Sequence, residues 1–236
     1  MSRFYLILGV VALIGVGVVG YTVGTAGGGG PATTPVEVPG LDDPERLVEM
    51  AQGMVRGDED APISIVEFAD YQCPGCGAFA TMVMPQVVST FVETGEAKVV
   101  FYDFPLTSTH PNSFIAARAA RCAGDQDRYW DLSEVLFGNQ AEWSYDGDPT
   151  GRFVEYAGEA GLDTGEFESC LRSDRHADVV TANMRLGEEL GIRATPTIMV
   201  SRGQGDVRRL NRNNFQAISE AVRALQQDSE EAAGGG

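Results

Sequence analysis

The feature that most restricts this chain is a pair of cysteines two residues apart, Cys73-Pro74-Gly75-Cys76, set where one hydrophobic period gives way to another. Upstream, Ile63 to Phe68 is a short apolar run rich in β-branched residues and interrupted only by Ser64 and Glu67, the pattern of a strand buried on both faces. Downstream, Phe79, Met82, Met84, Val87, Val88 and Phe91 recur at roughly helical spacing from Pro74 onward, and Pro85 should kink that helix. The chain therefore turns from strand to helix at its cysteines. Residues three apart on a helix have neighbouring side chains, within reach of a disulfide, so one bond can open and close locally. Cys73 takes the helix start, where unpaired N–H groups and the positive dipole end stabilise a thiolate and lower its pKa. Cys76, deeper in the helix, is the resolving thiol. The competing readings are a static bridge or half of a zinc site. Zinc usually takes four ligands, and the sequence offers no second C-x-x-C and no His pair.

Further along, Val99 to Phe104 reads as a second strand, stopped by Pro105. From Pro111 to Leu190 the pattern is helical almost throughout, with breaks or caps at Gly124, Gly138, Gly151, Gly161 and Asp163. Thr197 to Val200 resumes a strand, Val207 to Leu210 offers its hairpin partner, and Asn213 to Leu225 closes with a helix. A lead-in helix opens at Pro44, with Leu47, Val48, Met50 and Met54 on its apolar side. Two strands, a long helical interruption and a final hairpin make the chain an α/β protein.

Composition settles what the site does not serve. With a net charge of -17, a pI near 4.4 and Lys98 as the single lysine, the chain lacks the clustered cations that nucleic-acid binding needs. The acid excess gives solubility and self-repulsion instead. Phe4 to Val23 is uncharged and mostly apolar, about the length of a bilayer-spanning helix, so residues 1–26 read as a transmembrane anchor. A cleaved signal is the alternative, with small residues at Gly24, Thr25 and Ala26. Arg3 precedes the run and no Lys or Arg follows until Arg46, which leaves the remainder outside the cytoplasm, where cysteines can stay oxidised. Residues 27–40, rich in Gly and Pro, read as a linker, and residues 227–236 as a flexible acidic and Gly-rich tail.

The stretch from Gly57 to Cys76, GDEDAPISIVEFADYQCPGC, together with Ala194-Thr195-Pro196-Thr197, resembles the DsbA-type thiol:disulfide oxidoreductases of the thioredoxin superfamily over about residues 41–226. The resemblance implies a thioredoxin fold with a helical domain inserted at about residues 111–190, preceded by the membrane segment. It implies that Pro196 is a cis-proline facing the active-site disulfide, with Thr195 before it and substrate peptide lying extended nearby; an ordinary trans proline opening a strand is the alternative. It assigns Glu67, six residues before Cys73, to proton transfer with Cys76 beneath the site, against the plainer reading of a strand residue that reaches solvent. Some family members carry a second disulfide in the insert, and the even cysteine count agrees, so Cys122 and Cys170 are expected to pair; two separate buried thiols or a redox shuttle are the alternatives. The family's middle dipeptide often contains a histidine, whereas here Pro74 and Gly75 fill it, and His110 and His176 read as surface or packing residues.

The function implied is an extracytoplasmic dithiol oxidase that needs no cofactor and no metal and puts disulfides into exported proteins carrying free thiols. A membrane or extracytoplasmic redox partner would reoxidise it. The segment before Ile63 is too short for the dimerisation domain of the related isomerases, so a monomer is expected. A reductase or isomerase using the same site, and a non-catalytic thioredoxin-fold chaperone, are the rival readings.

Overall fold

The computed structural model describes residues 30–203 and 206–234, so the segment 1–26 read as an anchor or signal lies outside the described residues, as does the start of the linker. Helix α1 (Pro44–Met50) begins where the Asp43 carboxylate accepts the Arg46 N–H at 2.9 Å and Pro44 opens the first turn. It stops earlier than its apolar spacing suggests. Met54, expected on this helix, instead starts the edge strand β1 (Met54–Arg56). The cause is tertiary: β1 pairs antiparallel with residues 99–101, and the Gln52 carbonyl accepts a 2.6 Å bond from the buried Arg121 guanidinium.

Strand β2 (Ile63–Ala69) leads through Asp70 to Gln72 into the helical run α2 (Pro74–Val92), which returns to β3 (Ala97–Asp103). β2 and β3 pair in parallel, Ile65 opposite Val99 and Glu67 opposite Phe101. Pro85 can donate no backbone hydrogen bond, and α2 accommodates it with wider π-type turns at Phe79–Val83 and Val88–Val92 on either side of an α-helical Met84–Val87. By length and composition α2 could cross a membrane, yet Phe79, Met84, Val87 and Phe91 are buried in a cluster with Ile63, Ile65 and Val99 of the sheet, as in a core helix.

Six helices follow β3: α3 (Ser113–Gly124), α4 (Tyr129–Gly138), α5 (Gln140–Trp143), α6 (Thr150–Glu159), α7 (Thr164–Arg172) and α8 (Ala177–Glu189). Gly151 falls in the first turn of α6 rather than between helices, since Pro149 and Asp148, whose carboxylate accepts the Thr150 N–H, already mark the break. Asp163 caps α7 through the Glu166 N–H. Phe114, Leu132, Trp143, Phe153 and Phe167 form the insert's core, which is continuous with Tyr71 and Phe101 from the sheet side. Within it Cys122 and Cys170 are bonded, S–S 2.08 Å. α8 reaches back over the opposite sheet face, where Leu186 packs with Phe68 and Phe104. There Gly187 is required, because a Cβ would lie 2.6 Å from the Phe104 ring.

The chain closes with β4 (Thr197–Arg202), β5 (Asp206–Arg209) and α9 (Phe215–Gly234). Sheet order is β1-β3-β2-β4-β5, with β4 antiparallel to both β2 and β5. This is a thioredoxin fold with a helical insertion between β3 and β4. Residues 227–234, read from sequence as tail, continue α9; their Gln, Ser, Glu and Ala residues are compatible with helix, and the Gln226 amide donates to Glu96 at 2.9 Å just before them.

Candidate active site

Two neighbouring strands bring distant residues together. β2 ends just before the cysteines and β4 begins just after Pro196, and because they are antiparallel with Phe68 opposite Thr197, both loops emerge at one sheet end. Cys73 occupies the N-cap of α2 in an extended conformation, its carbonyl accepting the first helical bond from the Gly77 N–H at 3.1 Å. Its side chain caps nothing, which leaves the sulfur free for chemistry. That sulfur lies 3.5 Å from the Thr195 carbonyl oxygen, and the Thr195–Pro196 peptide is cis. Gly75 fits against this loop: a Cβ there would sit 3.4 Å from Pro196 Cδ and 3.7 Å from Cys73 Sγ.

The two thiols are electrostatically unequal. Cys73 is half-buried, and its pKa is drawn down to about 5 by the Cys76 thiol, by the Thr195 side chain and by the Cys76 and Gly75 N–H groups, against the opposing effect of burial. The Thr195 hydroxyl is buried with no other partner, so it is available to the thiolate. Cys76 is fully buried, and burial first, then its thiol's hydrogen bond to the Cys73 sulfur and the negative charges of Glu67 and Cys73, push its thiol far above the ordinary range. Glu67 projects from β2 towards α2 at 2 % exposure with one carboxylate oxygen unpartnered, and burial raises its pKa to about 8. A cavity of about 420 Å³, lined by Glu67, Thr81, Met84, Phe101 and Trp130, adjoins this carboxylate. At its rim Arg56 pairs with Glu134 at 2.9 Å and lies 5.4 Å from the Trp130 ring centre.

A family model described as thioredoxin matches residues 49–227 of this sequence. The chain belongs to the thioredoxin family. Among solved structures, α-DsbA1 of Wolbachia pipientis superposes on this thioredoxin-family chain with a TM-score of 0.67, at 20% identity, covering 84% of this chain and 96% of that one, so the fold is DsbA-like. Disulfide bond formation protein D of Bacillus subtilis is 28% identical over 148 residues, 62% of this chain and 67% of that protein. The Na(+)/H(+) antiporter NhaA 1 of Mycolicibacterium vanbaalenii is 34% identical over 160 residues, 66% of this chain but 24% of the antiporter, so the chain spans about a quarter of the length of that relative.

Around the two thiols, this thioredoxin-family site is held by residues that sequence reasoning did not single out. Asp70 is buried; its carboxylate accepts from the Gln72 N–H at 2.7 Å and the Leu106 N–H at 2.8 Å and contacts His110 Nδ1 at 2.7 Å, while its own N–H points to Cys76 Sγ at 3.5 Å. His110, expected as a surface or packing residue, thus belongs to the support of the site. Gln140 on α5 donates to the Tyr71 and Cys73 carbonyls at 2.6 and 2.9 Å. Gln72 donates to the Ser144 carbonyl at 2.7 Å and accepts from the Asn112 N–H at 2.8 Å. The insert therefore clamps the loop that carries Cys73. Cys122, Cys170 and His176 form a group tight enough to share a metal ion, but its two sulfurs are bonded to each other and His176 contacts Asp125.

Proposed function

We propose that this chain is an extracytoplasmic protein-disulfide oxidoreductase that acts as a dithiol oxidase on exported proteins with free thiols. The observation that carries the reading is the inequality of the two cysteines: Cys73 ionises near 5 while Cys76 is held protonated by burial. A stable Cys73 thiolate favours the reduced form of the protein and so makes its disulfide oxidising. A substrate thiolate attacks Cys73 Sγ, the Cys73–Cys76 bond breaks, and Cys76 leaves and is protonated. A second substrate thiolate then attacks the substrate sulfur of the mixed disulfide, and Cys73 leaves as its stable thiolate. The substrate has lost two electrons and the protein has gained them. Glu67 gives and takes the Cys76 proton in this reading, which is supported by its burial, by its pKa near 8 and by the electrostatic effect of its carboxylate on that thiol.

Substrate lies extended against Thr195 and Pro196, beside Pro74 and Gly75 of the active-site loop. The Cys122–Cys170 bond serves the insert as a structural brace. Residues 1–26 anchor the domain or direct its export. Of residues 27–40, read from sequence as linker, the part from Ala32 is docked on the insert, where the Ala32 N–H donates to Asp174 at 2.8 Å and the Val36 N–H to Thr181 at 3.1 Å, so the tether is the stretch before it. Residues 41–226 form the catalytic domain, and α9 carries the fold on to Gly234. A membrane or extracytoplasmic redox partner restores the disulfide, and the protein works as a monomer. The name of the Bacillus subtilis relative supports this reading. The antiporter name is not carried over, because the chain spans only 24% of that protein.

Equilibration of the purified protein with glutathione tests the direction. An oxidase has a potential well above thioredoxin's value of about -270 mV, towards the -120 mV or so of the strongest oxidant of this class. A value at or below that of thioredoxin would overturn it in favour of a reductase. Cys73→Ser should abolish disulfide formation in a reduced test protein; undiminished activity would favour the chaperone reading.

A further inference from the structure

The charge around the cis-proline runs against the charge of the whole chain. Five of the seventeen basic residues fall between Arg193 and Arg212, a stretch whose single acid is Asp206, in a chain of net charge -17. Three of them, Arg193, Arg209 and Arg212, flank the segments around the cis-proline, while Arg202 lies at the far end of β4, opposite Ile63, and Arg208 pairs with Asp228. Arg193 stands two residues before Thr195, whose carbonyl is 3.5 Å from Cys73 Sγ. Arg212 precedes Asn213, whose amide donates to the Pro196 carbonyl at 2.6 Å. Arg209 donates to the Gly191 carbonyl at 3.4 Å.

Arg193, Arg209 and Arg212 are exposed, and among the described residues none of them has a carboxylate partner within ion-pair distance. The acids nearby are mostly engaged. Glu188 and Glu189 pair with Arg185, Asp228 pairs with Arg208, and Glu220, in a hollow of about 370 Å³ with Arg208, Arg209 and Arg212, accepts from Gln216. The other flank of the site carries no such surplus: Ser144, bonded to Gln72, is followed by exposed Tyr145 and by Asp146, whose carboxylate pairs with Arg152 at 2.8 Å.

We infer that the arginines beside the cis-proline form a docking rim for acidic peptide, so that the preferred thiol substrates carry Asp or Glu next to the reacting cysteine. The inference rests on the oxidoreductase reading and names its substrate class. Without such a rim, an acid-rich client would meet only repulsion from this chain. With it, a local positive field governs the last approach, because at about 0.1 M salt charges beyond about 10 Å are largely screened.

The test uses reduced two-cysteine peptides flanked by paired glutamates or paired lysines, with single-turnover oxidation followed at about 0.1 M salt. The Glu-flanked peptide should react about fivefold faster, and the ratio should approach one at about 1 M salt, where screening acts within about 3 Å. The double variant Arg209→Gln/Arg212→Gln should lower the ratio to below about twofold while its oxidation of uncharged dithiothreitol stays at the wild-type rate. Equal rates for the two peptides, or a preference that survives in the double variant, would overturn the rim. Failure of the wild-type protein to oxidise dithiothreitol would count against the oxidoreductase reading alone. In that case binding of the same peptides with serine in place of cysteine still decides the rim: tighter binding of the Glu-flanked peptide supports it, and equal binding refutes it.

Discussion

Replacing Glu67 by glutamine removes a charge the fold resists while keeping the side chain's size. The carboxyl has a pKa of about 8 in the folded protein because burial disfavours its ionised form, against an ordinary 4.5. Below pH 4.5 folded and unfolded chains both hold this proton, so Glu67 contributes no pH dependence. Between 4.5 and 8 the folded chain keeps a proton that the unfolded chain releases, and stability falls by about 1.4 kcal/mol per pH unit. Above 8 both forms are ionised and the loss is complete, at about 5 kcal/mol. Since domains of this kind are stable by only about 5–15 kcal/mol, that is a large share. Urea unfolding of the oxidised protein, in which neither Cys73 nor Cys76 titrates, should therefore show Glu67→Gln gaining on the wild type from pH 4.5 to 9 by about this amount. A difference that stays flat across this range, or grows in the wild type's favour, would refute the placement of an unpaired acid beneath the site.

The thiolate of Cys73 should appear at 240 nm with a midpoint near 5 in the reduced protein, and Thr195→Val should move that midpoint upward by removing the hydroxyl that stabilises the anion. Gly77→Ala puts a methyl group 2.2 Å from Gln140 Oε1. It should cost about 1–3 kcal/mol in thermal unfolding, and Gln140→Ala should restore the room but lose two hydrogen bonds, so the double variant should fall short of the sum. Removing the Cys122–Cys170 bond by Cys122→Ala/Cys170→Ala should lower stability by about 4 kcal/mol, from the entropy of a loop closed over 48 residues, as read by denaturant titration.

The parts of this site that sequence reveals are those in which local pattern and chemistry coincide. β2, α2 and the cysteines between them are marked by a change of hydrophobic period, and Glu67 stands out as the single charged residue in an apolar strand. β1 is different: three residues are too few to show alternation, and the strand exists because β3 offers it an edge. Asp70, Gln72, Asn112 and Gln140 left no trace, because their importance lies in partners between 36 and 72 residues away, and polar residues near a turn look alike until those partners are known. The kink expected at Pro85 is realised as two widened turns on either side of Met84–Val87, in a helix packed against the sheet. The extension of α9 past Leu225 was obscured by an acidic, Gly-ended composition that suits a tail as well as a helix.

Chain order also sets a timetable for synthesis. Cys73 leaves the ribosome 122 residues ahead of Thr195, so for most of translation it is an ordinary thiol without the neighbour that completes its surroundings. Cys122 emerges next, and its mate Cys170 is another 48 residues behind. A nascent chain that meets an oxidant in that interval offers three sulfurs, and the bonds open to Cys122 are then wrong ones. The layout therefore rewards an oxidant that arrives late, after β4 has closed against β2.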